Sequence, residues 1–219
     1  DSDRSYEFYD RGTKYLVLIG TPVCIFSAVA ASVVIWTWLG RDYGMAQETI
    51  YLIQIVALGY YANLSTGVAT GIAVGMGKPE FEMKFGVLLA LLSVVFSIAL
   101  IQTIGFYGPA MAMTLSLTIC ALYFYRLFHN HLKRPLGAFL RRMYAIPLTA
   151  GGIAGLVAFG VQSVLVPYIE PNARLESFFL LCGEGIMFVG LYTMIVLRTS
   201  YLDAYDRALF KRYAAKLGL

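Results

Sequence analysis

The sequence predicts an all-α integral membrane protein of six transmembrane helices, and three observations predict it. The first is composition. Of 219 residues, 59% are hydrophobic and 14% charged, against about 25% charged in a soluble domain, and the mean hydropathy is +0.69. So few polar residues cannot cover a globule of this size. The second is their distribution. They separate six apolar runs, residues 15–39, 49–76, 85–105, 108–128, 144–166 and 177–197, each near or above the ~20 residues that cross a bilayer as a helix. The third is the placement of Lys and Arg, which cytoplasmic loops retain. Residues 1–14 hold Arg4, Arg11 and Lys14, the second loop Lys78 and Lys84, the fourth Arg126, Lys133, Arg134, Arg141 and Arg142, and the tail Arg198, Arg207, Lys211, Arg212 and Lys216. The intervening loops hold only Arg41, none and Arg174. This alternation predicts an even number of spans with both termini in the cytoplasm.

Taken in order, residues 1–14, DSDRSYEFYDRGTK, read as a polar cytoplasmic segment, and a chain opening on Asp1 reads as part of something longer. The first run is too long for the apolar region of a signal peptide and lacks a clear cleavage site. The second exceeds what a span requires, so it is expected to tilt or to begin outside the hydrocarbon. It closes on GVATGIAVGMGKPE, residues 67–80. A phosphate-binding loop needs Gly, four residues, then Gly-Lys-Ser/Thr, and Ile72 and Pro79 stand at the two deciding positions. The glycines serve packing instead. Gly67, Gly71 and Gly75 form a double GxxxG ridge, the flat face on which helices approach in lipid, where close packing drives association; helix bending is their other possible use. Gly77 and Pro79 then stop the helix, with Lys78 near its negative end.

Small residues recur at similar spacing in the third run, Gly86, Ala90, Ser93 and Ser97, and in the fifth, Gly151, Gly155, Ala158 and Gln162. Three flat faces predict a compact bundle. After the sixth run, the tail 198–219 places Leu202, Tyr205, Leu209 and Tyr213 at helical spacing with Arg207, Lys211 and Arg212 off that stripe, the pattern of an amphipathic helix on a membrane surface. The basic patches fit retention in the cytoplasm and anionic lipid headgroups rather than nucleic acid.

One ionisable residue falls at membrane depth, Glu184 in LLCGEGIMF. Such a residue is either a proton or cation site or a protonated structural group, and Glu184 is the candidate for ion coupling. Gln54, Tyr61, Asn63 and Ser65 lie close together on the second span and are candidates either for lining a hydrated cavity or for hydrogen bonds between helices. Cys24, Cys120 and Cys182 are odd in number, lack CxxC spacing and lie inside apolar runs, so they read as buried packing residues. His129 and His131 read as interfacial. No nucleophile–base pair, paired carboxylates, metal-ligand spacing or cofactor motif is present, which points away from an enzyme, a cofactor or a metal.

WLGRDYGMAQETIYLIQIVALGYYANLSTGVATGIAVGMGKPE resembles the region of bacterial polysaccharide flippases where a span ends in Leu-Gly, a Tyr follows, an alanine opens the next span and that span ends in a Gly-Lys turn. IGFYGPAMAMTLS is similar to the same family's Phe-Gly-x-x-Gly-Ala-Ala hairpin, with Pro109 where alanine is common. The family is the oligosaccharide flippase branch of the multidrug/oligosaccharidyl-lipid/polysaccharide exporters. The likeness covers roughly residues 1–135, and the last two spans by position alone. It implies the last six helices of a fourteen-helix transporter in the bacterial inner membrane. The implied partners are membrane lipid, a lipid-linked oligosaccharide substrate and the N-terminal remainder of the same chain. No catalytic residue of the family falls on this sequence. A drug/cation antiporter of the same superfamily and a non-transporting membrane scaffold are the alternatives.

Overall fold

The computed structural model describes residues 2–64, 66–168, 174–203 and 205–206. They form helices and turns without a strand: α1 (Ser2–Val29), α2 (Ala31–Trp38), α3 (Ala46–Asn63), α4 (Thr66–Gly75), α5 (Glu80–Ile104), α6 (Gly108–Leu132), α7 (Leu136–Leu165) and α8 (Arg174–Arg198). The pairs α1/α2 and α3/α4 each correspond to one predicted run, interrupted at Ala30 and near Leu64. Five helical stretches are long and apolar enough to cross a membrane, and one of these, Glu80–Leu132, runs for 53 residues. It is folded into a hairpin. Gly105 takes φ +61°, a left-handed conformation that glycine adopts freely, and a short turn at Gly105–Tyr107 follows. Phe85 then meets Phe124 at 5.8 Å and Phe81 meets His131 at 5.4 Å, so α5 and α6 run antiparallel. The six predicted runs are thus six rods.

Residues 1–14 depart from the expected polar segment: α1 is helical from Ser2. Tyr9, Thr13 and Val17 recur at i, i+4, i+8 and are fully buried. Tyr9 stacks on Phe139 of α7 at 4.9 Å and meets Phe128 of α6 edge-on at 5.2 Å. The helical period therefore continues into the charged stretch, and its polar residues sit on the other faces.

The glycine ridge faces away from the rest of this chain. A Cβ at Gly67, Gly71 or Gly75 would meet nothing within 4 Å. The buried face of α4 is Thr66, Ala69 and Ala73, which packs with Tyr9 and Phe81; the glycines lie on the opposite side. Gly86 is also open, and α5 buries only Phe81. The fifth-run face behaves as expected. Gly151, Gly155, Ala158 and Gln162 are buried, and a Cβ on Gly151 would stand 2.5 Å from Ile25 Cδ1 of α1. Main chain also approaches main chain between rods: a Cβ on Gly59 would lie 2.8 Å from Thr114 Cα of α6, and one on Gly108 would lie 2.6 Å from Ile101 N of α5.

Two prolines sit inside helices, Pro22 in α1 and Pro147 in α7. Proline lacks an N–H, so each frees the carbonyl four residues back. Those carbonyls belong to Leu18 and Met143. The Tyr192 hydroxyl of α8 donates to Leu18 O at 2.8 Å, and the Tyr201 hydroxyl donates to Met143 O at 2.9 Å. Both orphaned acceptors are thereby satisfied from α8 and the turn that follows it, which ties them to α1 and α7.

Candidate functional site

The ends of the rods differ in charge. At one end Arg134 grips Asp10 of α1 through two bonds of 2.9 Å, and Arg142 lies 3.8 Å from the same carboxylate. Asp206, fully buried, accepts hydrogen bonds from Lys14 and Tyr15 and stands 3.7 Å from Arg11. Asp203 and Asp206 cap one another, each carboxylate accepting the other's N–H at 3.1 and 2.9 Å, a reciprocal helix-start arrangement. Burial alone would raise the Asp206 carboxyl, but the bonds from Lys14, Tyr15 and the Asp203 N–H outweigh it and hold it below the usual range. At the opposite end Arg41 donates to Val166 O and Arg174 to Leu39 O, both at 3.3 Å. The basic residues 207–219 of the predicted amphipathic tail lie outside the described residues.

The polar residues of the second span do not converge on one cavity. Gln54 is exposed and donates to Ala28 O at 3.1 Å. Tyr61 lies 3.2 Å from the Thr21 hydroxyl, with its ring edge-on to Tyr144 at 5.8 Å. Asn63 receives the Thr66 hydroxyl at 2.7 Å, across the α3/α4 break. Ser65 lies outside the described residues. Each described member is committed to a bond within or between helices. A cavity of about 250 Å³ does open nearby, lined by Ala62, Thr118, Leu122, Tyr125, Leu140 and Tyr144, but neither Gln54 nor Asn63 lines it. His129, read as interfacial, is instead buried, with Nε2 3.1 Å from the Tyr9 hydroxyl. Cys120 is buried as expected, whereas Cys24 is half-buried and Cys182 exposed.

Glu184 stands apart. It is 2% exposed, on the inner face of α8 with Phe188 and Tyr192, and neither carboxyl oxygen has a hydrogen-bond partner among the described residues. It borders a cavity of about 190 Å³ between α7 and α8, otherwise lined by Val161, Leu165, Phe179, Leu180, Gly183 and Met187. Beside Val161 on α7 comes Gln162, also buried, whose amide nitrogen donates to the Ser32 hydroxyl of α2 while its Oε1 stays unpaired. Sequence reasoning singled out Glu184 as an isolated carboxyl and placed Gln162 on a packing stripe; it did not join them, because they are 22 positions apart on different rods. The packing of α7 on α8 was the missing signal: Ala158 and Phe188 share one core cluster, and Gln162 and Glu184 lie on the same buried faces of those two helices.

Compared with protein-family models, with curated proteins and with solved structures, the chain matches none.

Proposed function

We propose that the chain is the membrane-embedded C-terminal part of a secondary transporter that flips a polyprenyl-linked oligosaccharide across the bacterial inner membrane. Support for membrane embedding comes from the outer surface. Leu91, Leu156 and Ile186, at mid-height of α5, α7 and α8, are 60%, 74% and 77% exposed. Exposed apolar patches of this kind mark contact with lipid or with other apolar surface, and helices satisfy their own backbone groups there. The lopsided charge of the two ends supports the orientation, with the Lys14–Arg134 end in the cytoplasm.

The observation that carries the transporter reading is Glu184. A carboxyl at mid-helix costs about 2.5–3.5 kcal/mol on insertion scales, and here no internal bond among the described residues offsets it. A packing role alone would be served better by Leu. The flippase branch rests on the resemblance in residues 38–80 and 104–116. Complementation of a strain lacking its oligosaccharide flippase, with the complete gene product, tests this. Restored surface glycan supports the reading. Altered drug tolerance without restored glycan would favour the antiporter, and neither effect would favour the scaffold.

A further inference from the structure

We infer that Ser32, Gln162 and Glu184 form a proton-binding site between α2, α7 and α8, in which Glu184 holds a proton and donates it to Gln162 Oε1. The inference rests on the transporter reading for its use but on donor and acceptor counts for its chemistry. Gln162 Nε2 donates to Ser32. That leaves Gln162 Oε1 and both Glu184 oxygens as three buried acceptors facing no donor. One hydrogen on Glu184 relieves the imbalance: it removes the negative charge, satisfies one carboxyl oxygen as a donor and supplies Gln162 Oε1 with its missing bond. Unpaired, these groups would carry the penalty of buried polar atoms, several-fold larger for an ionised carboxylate.

A metal cation would answer the same count less well. Hard cations take about six or more oxygens, whereas this site offers the two of Glu184, Gln162 Oε1 and the Ser32 hydroxyl. The neighbouring segments supply no counter-charge either. Residues 31–38 of α2 and 150–165 of α7 contain no ionisable side chain; residues 16–29 of α1 bring Cys24, and residues 177–197 of α8 bring Cys182 and Tyr192 besides Glu184. Of these, Cys182 is exposed and the Tyr192 hydroxyl is already given to Leu18 O. Arg174 and Glu176 lie two turns or more away along α8, and Arg41 donates to Val166 O. The cavity beside Glu184 is large enough for water, so the proton has an acceptor on release: the O–H bond of Glu184 breaks, water becomes hydronium, and the carboxylate stays behind.

Infrared difference spectroscopy of the purified chain in lipid reads the proton directly, independently of transport. A carboxylic acid C=O band is expected at neutral pH, lost in Glu184→Gln, and shifted to higher frequency in Gln162→Leu, because the acceptor of its hydrogen bond is gone. Glu184→Gln keeps the shape, and circular dichroism of each variant checks the fold; for a variant that does not fold, titration of the wild-type band with pH replaces it. Absence of the band at neutral pH, or its loss on adding sodium or potassium at constant pH, overturns the proton site. A band unmoved in Gln162→Leu overturns the role of Gln162. A normal band together with failed complementation leaves this site standing and removes the flippase reading.

Discussion

Tyr192→Phe isolates the pairing of a tyrosine hydroxyl with a proline-freed carbonyl. The substitution removes one oxygen from a side chain 4% exposed and strands Leu18 O, whose helical donor is absent because residue 22 is proline. A buried acceptor left unpaired costs about 1–3 kcal/mol, while single hydrogen bonds inside membrane proteins average about 0.6 and reach about 1.7 kcal/mol. The helical donor to the carbonyl is missing, so a loss of about 1–2 kcal/mol is expected. Pro22→Ala restores an N–H aimed at Leu18 O, and in that background Tyr192→Phe should cost under about 0.5 kcal/mol. The assay is a double-mutant cycle by denaturant unfolding in mild detergent. A coupling near 1 kcal/mol is the expected result. Strict additivity would refute the reasoning, since the hydroxyl and the proline would then act independently.

Other expected outcomes follow the same logic. Gly59→Ala should destabilise by about 1–3 kcal/mol despite its better helix propensity, because Thr114 Cα lies 2.8 Å from the new Cβ; Gly71→Leu should leave the chain's own unfolding unchanged, and equal effects in the two would contradict the packing. Asp206→Asn should release the turn at Tyr201–Asp203, seen as faster amide exchange and proteolysis, at a cost of about 2–3 kcal/mol. That is less than for a fully buried pair, because Lys14 retains Asp203 at 3.8 Å. The Asp206 contribution, held by a lowered carboxyl, is complete above the ordinary aspartate value of about 4 and fades as pH falls through the depressed folded value; protection that instead declines on raising pH from 5 to 7 contradicts it. Single cysteines at Asp42 and Tyr107 should label from outside the cell, and those at Lys78 and Lys133 only after permeabilisation.

The six rods were legible because each is an apolar run of bilayer length, and a run needs no partner to be recognised. Their mutual packing was legible only in part. The Gly151–Gly155 stripe and the Gly67–Gly71–Gly75 stripe look alike as sequence, yet one meets Ile25 and the other nothing within 4 Å. Spacing shows which side of a helix is flat, not which side is covered. The helical start at Ser2 was hidden by seven charged residues among the first fourteen, although Tyr9, Thr13 and Val17 already carried the period. Pro22 and Pro147 could be read as kinks, but their tyrosine partners lie 170 and 54 residues away, beyond any local pattern.

The same long-range pairing separates structural polar groups from the one proposed to act. Tyr192, Tyr201, Thr114 and Gln54 each donate to a main-chain carbonyl on another helix; a neutral donor meets an acceptor and nothing is left to titrate. The buried hydroxyls of Thr13 and Ser116 have no partner among the described residues, but they are neutral and small, and the penalty is correspondingly modest. Glu184 differs in kind. Its two oxygens and that of Gln162 are acceptors only, until a proton arrives, so the site gains a bond in one charge state and carries an unpaired charge in the other. A group with that asymmetry changes the packing energy of α8 against α2 and α7 each time it gains or loses its proton, which is the differential stabilisation of two states that coupling requires.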